Sequence, residues 1–396
     1  MLVNSLLLIL AAIGHLGIWV VAFNQIQATA WPRFLRKGTE KLIVLVVLGL
    51  PIWILIRLFS GTASFNEPLD FYKNSLLVFG YALFCWASFA MVVIFWISRR
   101  FKYSNTAALL THTVERVDVA AKLGLRPLQG RLMRFLNAIP GNTIFEISLE
   151  EKTIHLPKLP AELDELSITH LTDFHFTGAT TPPFFEYIVD RANRFGSDLI
   201  LITGDILDEP QCADWIDEIL SQLSAPLGVY FVLGNHDLRV QPVSEIRQRL
   251  RSAGLVGLNG RWHTVMHRGQ PIHLCGNELP WFSEAKSLSK HPETQPESGI
   301  RILLSHSPDQ FYWARKYQID LVFAGHTHGG QVRLPIYGSI VAASKYGNAF
   351  SAGVFQENGI VMQVSRGLSS TQPLRLNCPP ELTKVILRRE RIVGNT

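Results

Sequence analysis

Three uncharged apolar stretches fall within the first hundred residues and restrict what this chain can fold into more than any other feature. The first 32 residues contain no Asp, Glu, Lys or Arg, and Leu2 to Phe23 supplies the roughly 20 apolar residues needed to cross hydrocarbon. A second uncharged stretch runs from Leu42 to Ile56; Lys41 and Arg57 can snorkel at its ends, and Leu58 to Gly61 can extend it. The third, Asn74 to Ser98, is dense in Leu, Val, Phe and Trp. The expectation is a transmembrane domain over residues 1–100 with spans near 2–23, 42–60 and 74–98. Two alternatives stand beside it. The first stretch can be read as a signal peptide cut near Ala28-Thr29-Ala30, although it lacks a basic n-region, and the second as a buried core helix.

Basic residues set the expected orientation, because Lys and Arg accumulate beside spans on the cytoplasmic side. Arg33, Arg36, Lys37 and Lys41 separate the first two stretches, and Arg99, Arg100 and Lys102 follow the third, whereas Arg57 and Lys73 alone lie between the second and third. Three spans put both basic sides in the cytoplasm. This predicts a multi-pass protein of the inner (plasma) membrane with its N-terminus outside and a cytoplasmic catalytic domain. The net charge of +5 is too small to suggest a specific nucleic-acid partner. Cys85, Cys212, Cys275 and Cys378 have no paired spacing, so neither a disulfide framework nor a thiolate zinc site is expected. Residues 101–140 read as a basic juxtamembrane linker. Eight Lys or Arg lie between Arg99 and Arg134 against Glu115 and Asp118, interleaved with Leu123, Leu125, Leu128, Leu132, Phe135 and Leu136. Such a segment either lies on an anionic inner leaflet or is a solvated linker.

Pro140-Gly141 breaks that pattern, and the alternation from Thr143 to Leu156 reads as the first strand of a soluble domain over 141–396. Helices are signalled at Phe184 to Phe195, Cys212 to Leu223 and Ser244 to Ala253. Between them lie short apolar runs, and strands alternating with helices imply an α/β architecture. Five of these runs end in chemistry. They lead into Asp173 and His175, Asp205, Asn235 and His236, His306, and His326 and His328. Open α/β sheets build their sites at such carboxyl ends. Carboxylates, an amide and imidazoles without a thiolate suit Mn, Fe or Zn better than Mg. The donors are too many for one ion, and two divalent ions sharing a carboxylate can activate water and clamp a phosphoryl group.

The series D-x-H, G-D-x-x-D, G-N-H-D, S-H and G-H-x-H resembles the calcineurin-like metallophosphoesterase superfamily over roughly Gly141 to Arg389. Thr172 to Gly178 and the ending from Ser365 to Leu382 are similar to its bacterial membrane-attached branch. The resemblance implies two mixed β-sheets packed face to face with flanking helices. It also implies that Asp173, His175 and His328 hold one metal, that Asn235, His306 and His326 hold the other, and that Asp205 bridges them. His236 would face the substrate phosphate, with Asp208 as its carboxylate partner; an N-cap of the helix through Trp215 is the competing role for Asp208. Asp237 is expected to be structural, and Arg366 to sit in an ion pair rather than on phosphate. Arg-Gly, which follows the second Asp in the superfamily's protein phosphatases, is replaced here by Glu209-Pro210. The expected function is hydrolysis of a phosphodiester or pyrophosphate bond by metal-bound hydroxide, on a substrate that can be lipid-linked. The alternatives are a nucleotide-lipid pyrophosphatase resembling UDP-diacylglucosamine hydrolases and a non-catalytic membrane sensor or scaffold. Specificity is expected in the loops, including Asn277 to Pro296.

Overall fold

The computed structural model describes residues 2–60, 76–102, 108–282 and 299–389. The chain divides into two compact units, residues 1–105 with 345–349, and the remainder from residue 106 onward. Among the described residues, the first unit contains three long helices, Leu2–Gln27, Arg33–Phe59 and Leu76–Lys102. Over Leu2–Gln27, Arg33–Arg57 and Leu76–Ser98 their mean hydropathies reach 2.5, 2.1 and 2.2, and each is long and apolar enough to cross a membrane. The second helix begins well ahead of the expected Leu42. Its basic first turns are helical because Glu40 pairs with Arg36 and Lys37 one turn away. Positions 61 and 74–75 of the expected spans lie outside the described residues. Polar contacts fix the first helix to the third: Trp86 donates to the Leu7 carbonyl at 2.8 Å, and His15 Nδ1 shares a hydrogen bond with Tyr81 Oη at 2.7 Å.

Among the described residues, fifteen strands build the second unit. They are β1 (Leu109–Asp118), β2 (Glu146–His155), β3 (Ser167–Leu171), β4 (Leu199–Thr203), β5 (Val229–Val232), β6 (Val256–Gly257), β7 (Trp262–His267), β8 (Gln270–Asn277), β9 (Ile300–Ser305), β10 (Leu321–Ala324), β11 (Arg333–Leu334), β12 (Gly338–Ser339), β13 (Gly353–Glu357), β14 (Ile360–Val364) and β15 (Glu381–Arg388). One sheet runs β1-β2-β15-β3-β4-β5-β6, a second runs β13-β14-β10-β9-β8-β7, and β11 and β12 form a small hairpin. Both large sheets are mixed: β3, β4 and β5 are mutually parallel, as are β8, β9, β10 and β14, while β1, β7 and β13 join the edges antiparallel.

Alternation along the strands explains the layering. Leu199 and Leu201 turn to one face of β4 and, with Ile168, Tyr230 and Val232, pack against Ile272, Leu274, Ile302, Leu304 and Phe323 of the second sheet. Ile200 and Ile202 turn the other way and meet Phe184, Phe185, Ile188 and Val189 of the helix Pro182–Arg194, and Ile246 and Leu250 of the helix Val243–Ser252. The single helix expected over Cys212 to Leu223 is instead a short α-helix, Asp214–Glu218, flanked by two 3₁₀ turns. The linker expected over 101–140 also differs, because its residues 109–118 form β1 and pair with β2 from Asp118 opposite Glu146 to Leu109 opposite Ile154. Thr111 to Arg116 are exposed on this edge strand, which is why their polarity reads as a linker.

Where β2 and β15 face β14, the layer between the sheets becomes polar. Lys152 reaches Glu150 at 2.8 Å and Glu381 at 2.7 Å, all three being buried, and Arg366 pairs with the same two carboxylates. Burial works against the Glu381 charge, yet Lys152 and Arg366 hold its carboxyl well below the usual carboxylate range. Lys152→Met leaves two buried carboxylates with one cation and should destabilise the protein by about 3–5 kcal/mol at neutral pH. In that variant a buried carboxyl titrates above its unfolded value, so the penalty should shrink as pH falls toward the carboxylate range. Thermal unfolding of both proteins across pH checks this; equal stability at neutral pH would contradict it.

Candidate active site

Parallel neighbours in each sheet bring sequence-distant residues to one rim. The ends of β3, β4 and β5 deliver Asp173 and His175, Asp205 and Asp208, and Asn235 and His236, while β9 and β10 deliver His306, His326 and His328. Asp173, His175, Asp205 and His328 form one cluster of potential ligand atoms and Asp205, His306 and His326 another, within each of which the atoms lie no more than 4.8 Å apart. His175 Nε2 is 3.1 Å from His328 Nε2, and His326 Nδ1 is 3.1 Å from His306 Nε2. Asn235 Oδ1 lies 3.2 Å from His306 Nε2. All nine residues singled out in the sequence are therefore assembled at one place.

Local backbone strain accompanies this convergence. Asp173, His175, Asp205, His326 and His328 all have φ between 49° and 70°, the left-handed region that non-glycine residues seldom enter. Each such residue costs on the order of 1–3 kcal/mol and persists where surrounding structure enforces it. Two glycines make the approach possible. A Cβ on Gly234 would stand 2.3 Å from Asp205 Oδ1, and one on Gly325 would stand 2.5 Å from Asp173 Oδ2.

The donors fit divalent cations. Two imidazole nitrogens bonded at ~2.0–2.1 Å to one ion lie about 3.0–3.4 Å apart, so both 3.1 Å pairs match ligands of a common centre. His328 is pushed well below its ordinary pKa by burial and then by His175 and Arg375. Burial also opposes a charge on His306, but Asp205 and Asp173 outweigh it and raise the value to about 9. Asp205 itself stays ionised: burial is overcome by His306 and His236, which hold it well below the carboxylate range. Burial, with the Asp205 charge adding to it, pushes Asp173 up.

Asp208 is no helix cap. Its Oδ2 meets His175 Nδ1 at 2.7 Å, its Oδ1 meets His236 Nδ1 at 2.5 Å, and Arg239 Nη1 donates to the same Oδ1 at 2.5 Å. One carboxylate thus orients a candidate ligand and the candidate catalytic histidine together. Asp237 braces the loops, its carboxylate accepting from the backbone N–H groups of Ile206, Leu207 and Gly234. Arg366 is turned to Glu150 and Glu381.

Sequence reasoning missed three neighbours. Arg239 Nη2 lies 2.9 Å from His236 Nε2, and Arg375 donates to Ser369 O and lies 3.2 Å from His328 Nδ1. Trp281 stands edge-on to His306 and His326, with ring centroids 5.4 and 4.9 Å away. Arg239 carried a weak signal, following His236 by one turn; Arg375 and Trp281 carried none. Of the loop Asn277 to Pro296, residues 283–296 lie outside the described residues.

Residues 166–330 match the family described as calcineurin-like phosphoesterase. An uncharacterised metallophosphoesterase of Bacillus subtilis, YkuE, is 30% identical over 254 residues, 61% of this chain and 86% of that protein. The Escherichia coli phosphodiesterase YaeI is 28% identical over 56% of this chain and 81% of its own length. The UDP-2,3-diacylglucosamine pyrophosphatase LpxG of Chlamydia muridarum is 24% identical over 57% of this chain and 85% of its own. Together with the sheet-end residues, these likenesses assign the chain to the calcineurin-like phosphoesterase family. It is a metal-dependent phosphoric ester hydrolase.

Because Asp208 touches His175 as well as His236, Asp208→Asn should weaken metal binding about 10–100-fold, the usual effect of losing a carboxylate behind a ligating histidine. His236→Ala, which leaves the Asp208 to His175 contact in place, should not. Competition with a chelator measures both, and equal metal affinity in Asp208→Asn and wild type would contradict the shared-carboxylate role.

Proposed function

We propose that this protein is a membrane-anchored, two-cation phosphoesterase that cleaves a phosphodiester or pyrophosphate bond, with the second unit, which includes β1, as the catalytic domain on the cytoplasmic side. The observation that carries the proposal is the geometry of Asp205. Its Oδ1 lies 3.2 Å from His306 Nε2 and its Oδ2 lies 3.7 Å from His175 Nε2, so one oxygen addresses each histidine cluster. In this reading Asp173, His175 and His328 hold one cation, Asn235, His306 and His326 hold the other, and Asp205 is shared. The donor set suits Mn, Fe or Zn. When bound, a cation pair supplies an activated water and neutralises phosphoryl oxygens.

The chain's own residues handle the proton. Asp208 fixes the His236 ring by its Nδ1, which directs Nε2 away from the carboxylate and toward Arg239 Nη2 at 2.9 Å. His236 and Arg239 together form a donor pair for the substrate phosphate, and His236 Nε2 can pass a proton to the departing oxygen. Burial lowers the His236 pKa despite the Asp205 charge and the Asp208 hydrogen bond, and Nε2 accepts from Arg239 here, so Nε2 must first take up a proton before it can donate one. Asp208 is followed by Glu209 and Pro210 rather than the Arg-Gly of protein phosphatases, which favours a small or lipid-linked ester over a phosphoprotein. A nucleotide-lipid pyrophosphatase is the second reading, favoured by the likeness to LpxG and by the three apolar helices. A non-catalytic scaffold is disfavoured because the full set of nine site residues is present.

A panel of bis(p-nitrophenyl) phosphate, p-nitrophenyl phosphate and nucleotide-lipids, tested on metal-loaded protein, should show the diester or the pyrophosphate preferred over the monoester. No turnover of any member by protein holding two cations would leave the scaffold reading standing. His236→Ala should keep its metals and lose about 10²-fold or more in kcat. The loss should be larger for an alkoxide leaving group than for nitrophenolate, which departs without a proton. Loss of metal in that variant would make the histidine a ligand instead. For orientation, a reporter fused after Thr396 should signal cytoplasm; an outside signal would overturn the cytoplasmic assignment.

A further inference from the structure

Beside the metal site the second unit presents two exposed apolar elements that its folding does not use. The helix Arg131–Asn137 has no buried residue; Leu132 and Phe135 are 63% and 68% exposed, and Leu125, just ahead of it, is 48% exposed. The β11–β12 hairpin holds out Leu334, Ile336 and Tyr337, with Ile336 86% exposed at its tip. Ile336 has a φ of 69°, a conformation that a β-branched residue adopts only under constraint.

The two elements are fastened to opposite sides of one segment. Asn142 Nδ2 donates to Leu136 O and to Pro373 O, and Leu376 bridges Asn142 on one side and Val332 on the other. Arg333 N donates to Leu376 O at 3.0 Å, which ties down the hairpin. The segment leading into the helix is bridged to a site loop, and the hairpin follows another. Leu128 bridges Thr180 in the loop that follows His175, and the hairpin begins five residues after His328.

Charge decides what such a surface can meet. No Asp or Glu occurs from Val119 to Phe145, from Leu321 to Ser344 or from Asn358 to Pro380, whereas Arg126, Arg131, Arg134 and Arg333 lie on or beside the two elements. Apolar side chains among arginines, with carboxylates excluded from all three adjoining segments, match an anionic lipid surface, where guanidinium groups sit at the headgroups and Leu, Phe and Ile enter the acyl boundary. An acid-bearing protein partner would use the arginines but not six apolar side chains divided between two prongs, and the chain itself carries three candidate spans.

We propose that the helix Arg131–Asn137 and the β11–β12 hairpin form a two-pronged surface that docks on anionic lipid and opens the metal site toward the bilayer. This inference rests on the membrane-anchored reading above only for the presence of a bilayer. Its test reads probe burial, so inactivity of the protein would leave it untouched.

The full chain is reconstituted in nanodiscs with a cysteine-linked nitrobenzoxadiazole probe at Phe135→Cys, Ile336→Cys or, as control, the exposed Ser221→Cys. The native cysteines are buried, and the unsubstituted chain labelled in parallel gives the background. In discs containing phosphatidylglycerol, both prong probes should shift to the blue and be quenched severalfold more by nitroxide-labelled lipids than the control. The combined change Arg126→Glu, Arg131→Glu and Arg134→Glu should reverse both effects without altering the unfolding temperature. Prong probes that behave like the control, or burial indifferent to phosphatidylglycerol, would overturn the proposal. So would a blue shift without lipid quenching, which would point to a second copy of the chain as the occupant.

Discussion

A carboxylate at the end of β4, fully buried and kept ionised, is the constraint around which the second unit is arranged. Removing a charge from water costs several kcal/mol unless it is compensated. Asp205 is compensated from every side: His306 approaches one oxygen, His175 the other, and the backbone N–H of His236 donates to Oδ1 at 2.8 Å. Each of those groups comes from a different strand end, so this one side chain ties together the ends of β3, β5 and β9. Gly234 follows from the same demand, since any side chain there would collide with the carboxylate.

Asp208 extends the arrangement outward. By holding His175 and His236 on its two oxygens it couples the geometry of a candidate ligand to that of the candidate catalytic histidine, and Arg239 neutralises the charge. The left-handed conformations of five site residues are stored strain, held by the flanking hydrogen bonds of Asp237 and by dense packing on both faces of β4. Burial elsewhere in the sheets offsets that cost.

Much of this was legible in the chain. The apolar runs before Asp173, Asp205, Asn235, His306 and His326 are strands whose bounds fall within a residue or two of expectation, because a strand buried on both faces needs a continuous apolar run. Eight of the nine site residues could be named because each follows such a run, while Asp208 was named only through the resemblance. What stayed hidden has a physical reason in each case. Strand β1 shows solvent a charged face, so its sequence reads as a linker. The segment Cys212 to Leu223 has helical spacing but breaks where Ile219, with φ −108°, leaves regular helix geometry. Arg239 and Trp281 meet the site across space, and a short-range pattern does not encode that distance. Asp208 was visible as a partner of His236, but its hold on His175 appears only once β3 and β4 are side by side.

The central claim is that Asp205 is shared by two cations. The most direct measurement is the metal content of purified, dialysed wild type and Asp205→Asn by elemental analysis. The account predicts about two equivalents per chain in wild type and a loss of both in the variant, since ligand charge and bridging geometry change together. One equivalent in wild type, or two retained in Asp205→Asn, would contradict it.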